Sequence, residues 1–205
     1  MIRNNALAVS GLLSNKLGGP SVKPYQPEGL WKEKNTFSLR LLKYQESEGE
    51  DLYRRGMYTF IKRGSPPPSL ITFDATSREI CTIKREKTSS PLQSLILLND
   101  TQFFEASRVF AQRIFSESKN DLDQQIKYGF RLATSRFPKK SEIFLIKELY
   151  QNKLDYYRKN KSEAHKILNI GNSKKTKTRK SEEEIAAMTM VANTLLNLNE
   201  SYYKY

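Results

Sequence analysis

The sequence predicts a mainly α fold, an irregular helical domain with a long Gly/Pro-rich loop region in its N-terminal half. Three observations carry that prediction. From residue 91 onward, apolar residues recur at three- and four-residue spacing behind helix-capping residues. Between Ser14 and Gly29 stand Gly18, Gly19, Pro20, Pro24 and Pro27, a density of turn formers that no long helix or strand survives. The 205 residues are 38% hydrophobic, 11% aromatic and 28% charged, too apolar for a disordered tail and too polar for a membrane protein.

Taken in order, Ile2, Ala6, Val9 and Leu13 share one helical face immediately after Met1, with no signal peptide before them. That placement leads us to expect a chain that begins inside a larger domain. The coil that follows is anchored by Leu17, Val22, Tyr25, Leu30 and Trp31, as expected of an ordered loop laid on a core. Its Gly18-Gly19 pair lacks the Lys and Ser/Thr of a phosphate-cradling loop. Residues 32–50 are polar and read as a surface excursion. The spacing of Leu52, Tyr53, Met57, Phe60 and Ile61 predicts a helix over 51–63, stopped by Ser65-Pro66-Pro67-Pro68. Phe73-Asp74-Ala75 reads as a cap or turn, and residues 79–84 as a short extended segment.

The later signals are sharper. Ser90 before Pro91 is an N-cap followed by a first-turn proline, with Leu92, Leu95 and Ile96 as the apolar face. Asp100 caps a helix carrying Phe103, Ala106, Phe110 and Ile114, and another runs from about Leu122 to Ala133. After Pro138, Ser141 is expected to cap a helix of about seventeen residues through Ile143, Ile146, Tyr150 and Tyr157. A short helix over 162–170 stops at Gly171, and Ser181 with Glu184 forms a capping box for the last one. We therefore expect one domain over residues 1–205, loop-rich over 1–90 and helical over 91–205.

Thirty-five Lys and Arg against twenty-two Asp and Glu give a net charge of +13. Five positives lie together at Lys174, Lys175, Lys177, Arg179 and Lys180. Without interleaved aromatics for base stacking, the stretch reads as a flexible solvated loop, and nucleic-acid binding rests on net charge alone and ranks last. One cysteine and one histidine exclude internal disulfides, Cys-x-x-Cys redox pairs and multi-His metal sites. No apolar run exceeds four residues, far short of a membrane span. His165 sits on a polar helix without partner ligands, and Cys81, between Ile80 and Ile83, reads as a buried structural thiol.

The candidate ligand-binding residues are Arg54, Arg55, Asp74, Arg78, Glu79 and Arg85, which bracket the central loops. Arginine forks beside carboxylates suit a cleft that reads carboxylate, sulfate or phosphate. They equally suit a network that satisfies irregular backbone, the favoured of the two readings. No catalytic residue and no metal ligand is assigned.

These stretches also carry a family resemblance. The run from Leu17 to Trp31 (LGGPSVKPYQPEGLW), then Leu52-Tyr53-Arg54-Arg55, Tyr58-Thr59-Phe60, Lys62-Arg63 and Ser65-Pro66-Pro67-Pro68, resembles successive blocks of the planctomycete-type, cytochrome-associated domain of unknown function, family fifteen fifty-three. Phe73-Asp74-Ala75, Ser77-Arg78-Glu79, Cys81-Thr82, Arg85, Thr88, Pro91-Leu92-Gln93 and Leu97-Leu98-Asn99-Asp100 follow in the family's order. Phe130-Arg131-Leu132, Arg136, Pro138, Val191-Ala192-Asn193 and Leu195-Leu196-Asn197-Leu198 are similar to its C-terminal blocks. Ile61, Thr76, Thr101 and Met188 depart from residues common there.

The resemblance implies the C-terminal portion of a larger domain from exported proteins of Planctomycetes, Verrucomicrobia and Bacteroidetes relatives. Such proteins join it to a haem-binding cytochrome module and a sister domain. Haem c is expected only in that upstream module, and no cofactor in this chain. The implied function is a structural or binding module of an exported or periplasmic, cytochrome-linked system associated with polysaccharide. Its implied partners are the upstream domains and an acidic glycan. The alternative is a hydrolase or lyase on acidic or sulfated glycans, with Asp74 or Glu79 as acid or base.

Overall fold

Asp100 and Ser181 open the two helices around which the helical half is built. In the computed structural model, which describes residues 2–31, 43–77, 79–86, 88–119, 121–174 and 179–202, nine α-helices are present and no strand is found among those residues. They are α1 (Ile2–Ser10), α2 (Pro68–Thr72), α3 (Pro91–Asn99), α4 (Thr101–Glu117), α5 (Leu122–Thr134), α6 (Lys140–Lys159), α7 (Lys161–Leu168), α8 (Glu182–Leu196) and α9 (Asn199–Tyr202). The fold is mainly α, as the periodicity predicted.

The chain divides into two compact units. A helical unit holds the residues up to Leu13 and those from Leu97 onward, and a loop-rich unit holds Ser14–Ile96. The helical unit is centred on α8. Ile185, Ala186, Ala187, Met188, Val191, Ala192, Leu195 and Leu196 are all buried there, and the alanines let α4, α6 and α7 approach closely. From α4, Phe103, Ala106, Phe110, Ala111 and Ile114 enter this core, and α1 covers α4 with Ala6, Leu7 and Val9. Each of the largest buried side chains contributes about 1.5–3 kcal/mol of transfer free energy.

Side-chain caps close three helices, two of them, at Asp100 and Ser181, where the sequence placed them. The Asp100 carboxylate accepts from the Gln102 amide at 2.9 Å and Asp121 from the Gln124 amide at 3.1 Å. At α8 the box is reciprocal: Glu184 N–H donates to Ser181 Oγ at 3.2 Å, and Ser181 N–H donates to Glu184 Oε2 at 2.9 Å. Burial pushes the Asp100 carboxyl above its usual range, against the helix amides that pull it down.

Four expectations need correction. Residues 51–63 form no α-helix; they make two 3-10 turns, Gly49–Tyr53 and Gly56–Tyr58, separated by extended backbone at Arg54 and Arg55. Pairing with the preceding loop overrides the helical spacing, because Ser14 N–H donates to Tyr53 O, Val22 N–H to Tyr58 O and Phe60 N–H to Val22 O. Helix α6 starts at Lys140, so Ser141 lies inside it. Its N-terminus is closed by Lys139 N–H donating to Glu142 Oε2 at 2.6 Å. Helix α7 ends at Leu168, before Ile170. Residues 79–86 form bends, and with no ladder to bury its side chains Cys81 is exposed.

Candidate functional site

The loop from Ser14 to Trp31 has few backbone partners of its own, since Pro20, Pro24 and Pro27 donate nothing. Arg54 supplies what is missing. It is 1% exposed, its Nη1 donates to Pro20 O at 2.9 Å and its Nη2 donates to Gly18 O. Its guanidinium lies 3.9 Å from the Tyr58 ring centroid, and Tyr58 Oη accepts from Gly18 N–H at 2.9 Å. The planar fork explains the residue type, since two divergent carbonyls need two divergent donors on one rigid group. Nearby in the same unit, Trp31 is 1% exposed and packs edge-on against Tyr44 with centroids 4.9 Å apart. The Nζ atoms of Lys23 and Lys62 lie 5.3 and 5.0 Å from its ring.

A second set of bonds surrounds Asp74, which ends the turn after α2 with φ +55. Thr88 N–H donates to Asp74 Oδ2 at 3.0 Å, and the Thr88 hydroxyl lies 2.8 Å from the same oxygen. These bonds hold the Asp74 carboxyl below its usual range, with the Arg85 charge adding a smaller pull. Arg85 donates to the main chain: Nε to Asp74 O at 2.8 Å and Nη2 to Phe73 O at 2.9 Å. Gln93, 2% exposed, donates through Nε2 to Thr72 O at 2.9 Å and to Thr88 Oγ1 at 3.0 Å.

The structure therefore brings Asp74 and Arg85 together and places Arg54 in a separate set of bonds with the Gly18–Pro20 loop. Arg55 and Glu79 are exposed. Arg78 lies outside the described residues. Both arginine forks address backbone carbonyls. Among the described residues, no group of three His, Cys, Asp or Glu is placed to hold a metal. His165, on α7, faces Glu182 at the start of α8, with Nδ1 3.3 Å from Oε2.

Two arginine sites in the helical unit escaped the sequence reading. Arg108 and Glu105, one and zero per cent exposed, pair at 3.7 Å inside α4. Arg108 Nε donates to Ile170 O at 3.3 Å, and Ser173 N–H donates to Glu105 Oε1 at 2.6 Å. The visible signal was an acid and a base three apart within an apolar helix face. The loop over 169–173 is thus docked. Lys180, at the other end of the basic stretch, donates to Glu184 at 3.1 Å and lies 5.4 Å from the Phe115 ring centroid. Residues 175–178 of that stretch lie outside the described residues. The second site is Arg136, which bonds Glu142 and Glu200.

An open groove of about 490 Å³ runs between the start of α5 and α6, lined by Asp121, Leu122, Asp123, Phe144, Lys147 and Glu148 among others. Lys147 and Asp123 form an ion pair there. None of the residues proposed from the sequence lines it.

The family model described as PSD1, a protein of unknown function (DUF1553), matches residues 1–150. The chain belongs to this family. The match takes in the Gly/Pro loop, Arg54, Asp74 and Arg85, so the two bond sets described above lie within the PSD1 region. The blocks at 191–193 and 195–198 lie beyond it. No curated protein and no solved structure matches the chain. Among the described residues, no helix is long and apolar enough to cross a membrane.

Proposed function

We propose that this PSD1-family chain is a structural and binding module, the C-terminal part of a larger family domain in an exported, polysaccharide-associated, cytochrome-linked protein. In this reading it is held against the protein's upstream domains, with any haem c carried upstream and an acidic glycan as the external ligand. The observation that carries the structural part is Arg54. A guanidinium buried to 1% exposure and committed to two loop carbonyls stabilises irregular backbone and is withdrawn from ligands. Asp74 and Arg85 support it in the same way, since the carboxylate is held by Thr88 and the fork by the 73–74 carbonyls. A general acid or base needs a carboxylate within reach of a substrate proton, and Asp74 is turned to its own loop.

The experiment compares wild type, Arg54→Ala and Asp74→Asn by thermal melting and by release of new reducing ends from chondroitin sulfate and polygalacturonate. Arg54→Ala is expected to cost on the order of 3 kcal/mol, because the buried guanidinium's packing and its two charge-assisted bonds to the Gly18 and Pro20 carbonyls are lost together. Arg54→Lys recovers little of it, having no fork. Wild type is expected to cleave neither polysaccharide. Cleavage abolished by Asp74→Asn at unchanged stability would replace this reading with the hydrolase.

A further inference from the structure

Arg136 stands between α5 and α6 and holds two helices at once. Its Nη1 and Nη2 donate to Glu142 Oε2 and Oε1 at 2.9 and 2.6 Å, while Nε and Nη2 donate to Glu200 Oε2 and Oε1 at 2.6 and 3.0 Å. Its guanidinium lies 4.7 Å from the Phe130 ring centroid. The two arms are unequal. Glu142 is six residues away, in the first turn of α6, and also accepts from Lys139 N–H. Glu200 is sixty-four residues away in α9, and its side chain is 47% exposed against 28% for Glu142.

Helix α9 has four residues, too few to be stable on propensity alone. It also packs against α5 and α8. Asn5 Nδ2 donates to Ser201 O at 2.7 Å, and the buried Ser201 hydroxyl lies 2.7 Å from both Leu196 O and Leu198 O, closing the carbonyl end of α8.

We propose that Arg136 is an ionic clasp and α9 a releasable flap, which opens as a unit when the Glu200 arm is weakened while the rest of the helical unit stays folded. The Glu142 arm remains closed during this opening and keeps the guanidinium over Phe130. Opening frees the Leu196 and Leu198 carbonyls that Ser201 covers, so the flap makes this end of the helical unit responsive to its ionic surroundings.

Hydrogen exchange on the whole chain tests it, between about 0.01 M and about 1 M salt, over which the Debye length falls from about 30 Å to about 3 Å. Amides at 198–202 should exchange about fivefold faster at high salt, the factor an exposed ion pair carries, while those of α4 and α8 keep their rates. Glu200→Gln should reproduce the high-salt rate at low salt and remove the salt dependence. Arg136→Gln should do the same; because it also breaks the Glu142 arm and could impair folding, the Glu200→Gln comparison decides. The clasp is overturned if α9 exchanges at the rate of α8 in every condition, or if Glu200→Gln accelerates α4, α8 and α9 alike.

Discussion

A methyl group at Gly171 would sit 2.2 Å from Glu105 Cδ, and the residue holds φ +83, a conformation side chains resist. The loop cannot back away, because Ser173 N–H donates to Glu105 and Arg108 holds Ile170 O. Gly171→Ala should therefore cost about 3 kcal/mol, from backbone strain and overpacking together. Urea denaturation measures it; a loss below about 1 kcal/mol would mean the loop relaxes freely. The pair beneath is the more sensitive partner. Removing Arg108 leaves the fully buried Glu105 without its cation, a change in the range of about 3–5 kcal/mol. Arginine on main-chain carbonyls recurs at Arg54, Arg85, Arg108 and Arg113, the last donating to Val9 O at 3.0 Å. In a chain with long coils, this is how carbonyls without ladder partners are satisfied.

At the scale of elements, the start of α6 is an electrostatic joint. The Arg136 fork and the Lys139 amide hold the Glu142 carboxyl down to about 2, while Glu200, itself lowered by Arg136, shares the same guanidinium. A depressed carboxylate pKa adds stability above the ordinary value of 4.5, and that contribution disappears as pH falls from about 5 toward 2. Solvent screening of this half-exposed cluster reduces the effect to about 1 kcal/mol. Wild type should thus exceed Glu142→Gln in stability at pH 7 by about that amount, with the gap narrowing below about pH 5 and closing only below about pH 2. A gap independent of pH would show that Glu142 acts through packing and not through charge.

For the whole molecule, the loop-rich unit is inserted between α1 and the rest of the helical unit, and α3 runs across the point at residues 96 and 97 where the two divide. A shared helix and two covalent crossings favour joint unfolding. Trp31, the one tryptophan, lies in the loop-rich unit, whereas most helix lies in the other. Tryptophan fluorescence and far-ultraviolet circular dichroism should therefore melt with coincident midpoints. Midpoints separated by more than about 5 °C would mean two independently folding bodies and end the expectation of one domain.

The sequence by itself determined the elements whose cause is local. Asp100, Asp121 and the Ser181–Glu184 box start their helices through bonds within three residues, and the apolar faces of α4, α5 and α8 follow from the helical period. The same local rules failed at 51–63, where apolar spacing suited a helix and pairing with residues 14–22 imposed extended backbone. Only the tertiary structure decided what the arginines hold. Arg54 and Gly18, Arg108 and Ile170, Arg136 and Glu200 are separated by 36, 62 and 64 residues, and no periodicity links such positions. A charged side chain carries the same letter whether it faces a ligand, a carboxylate or a carbonyl. The choice among them depends on which backbone groups the fold leaves without partners, and that is known only once distant segments have met.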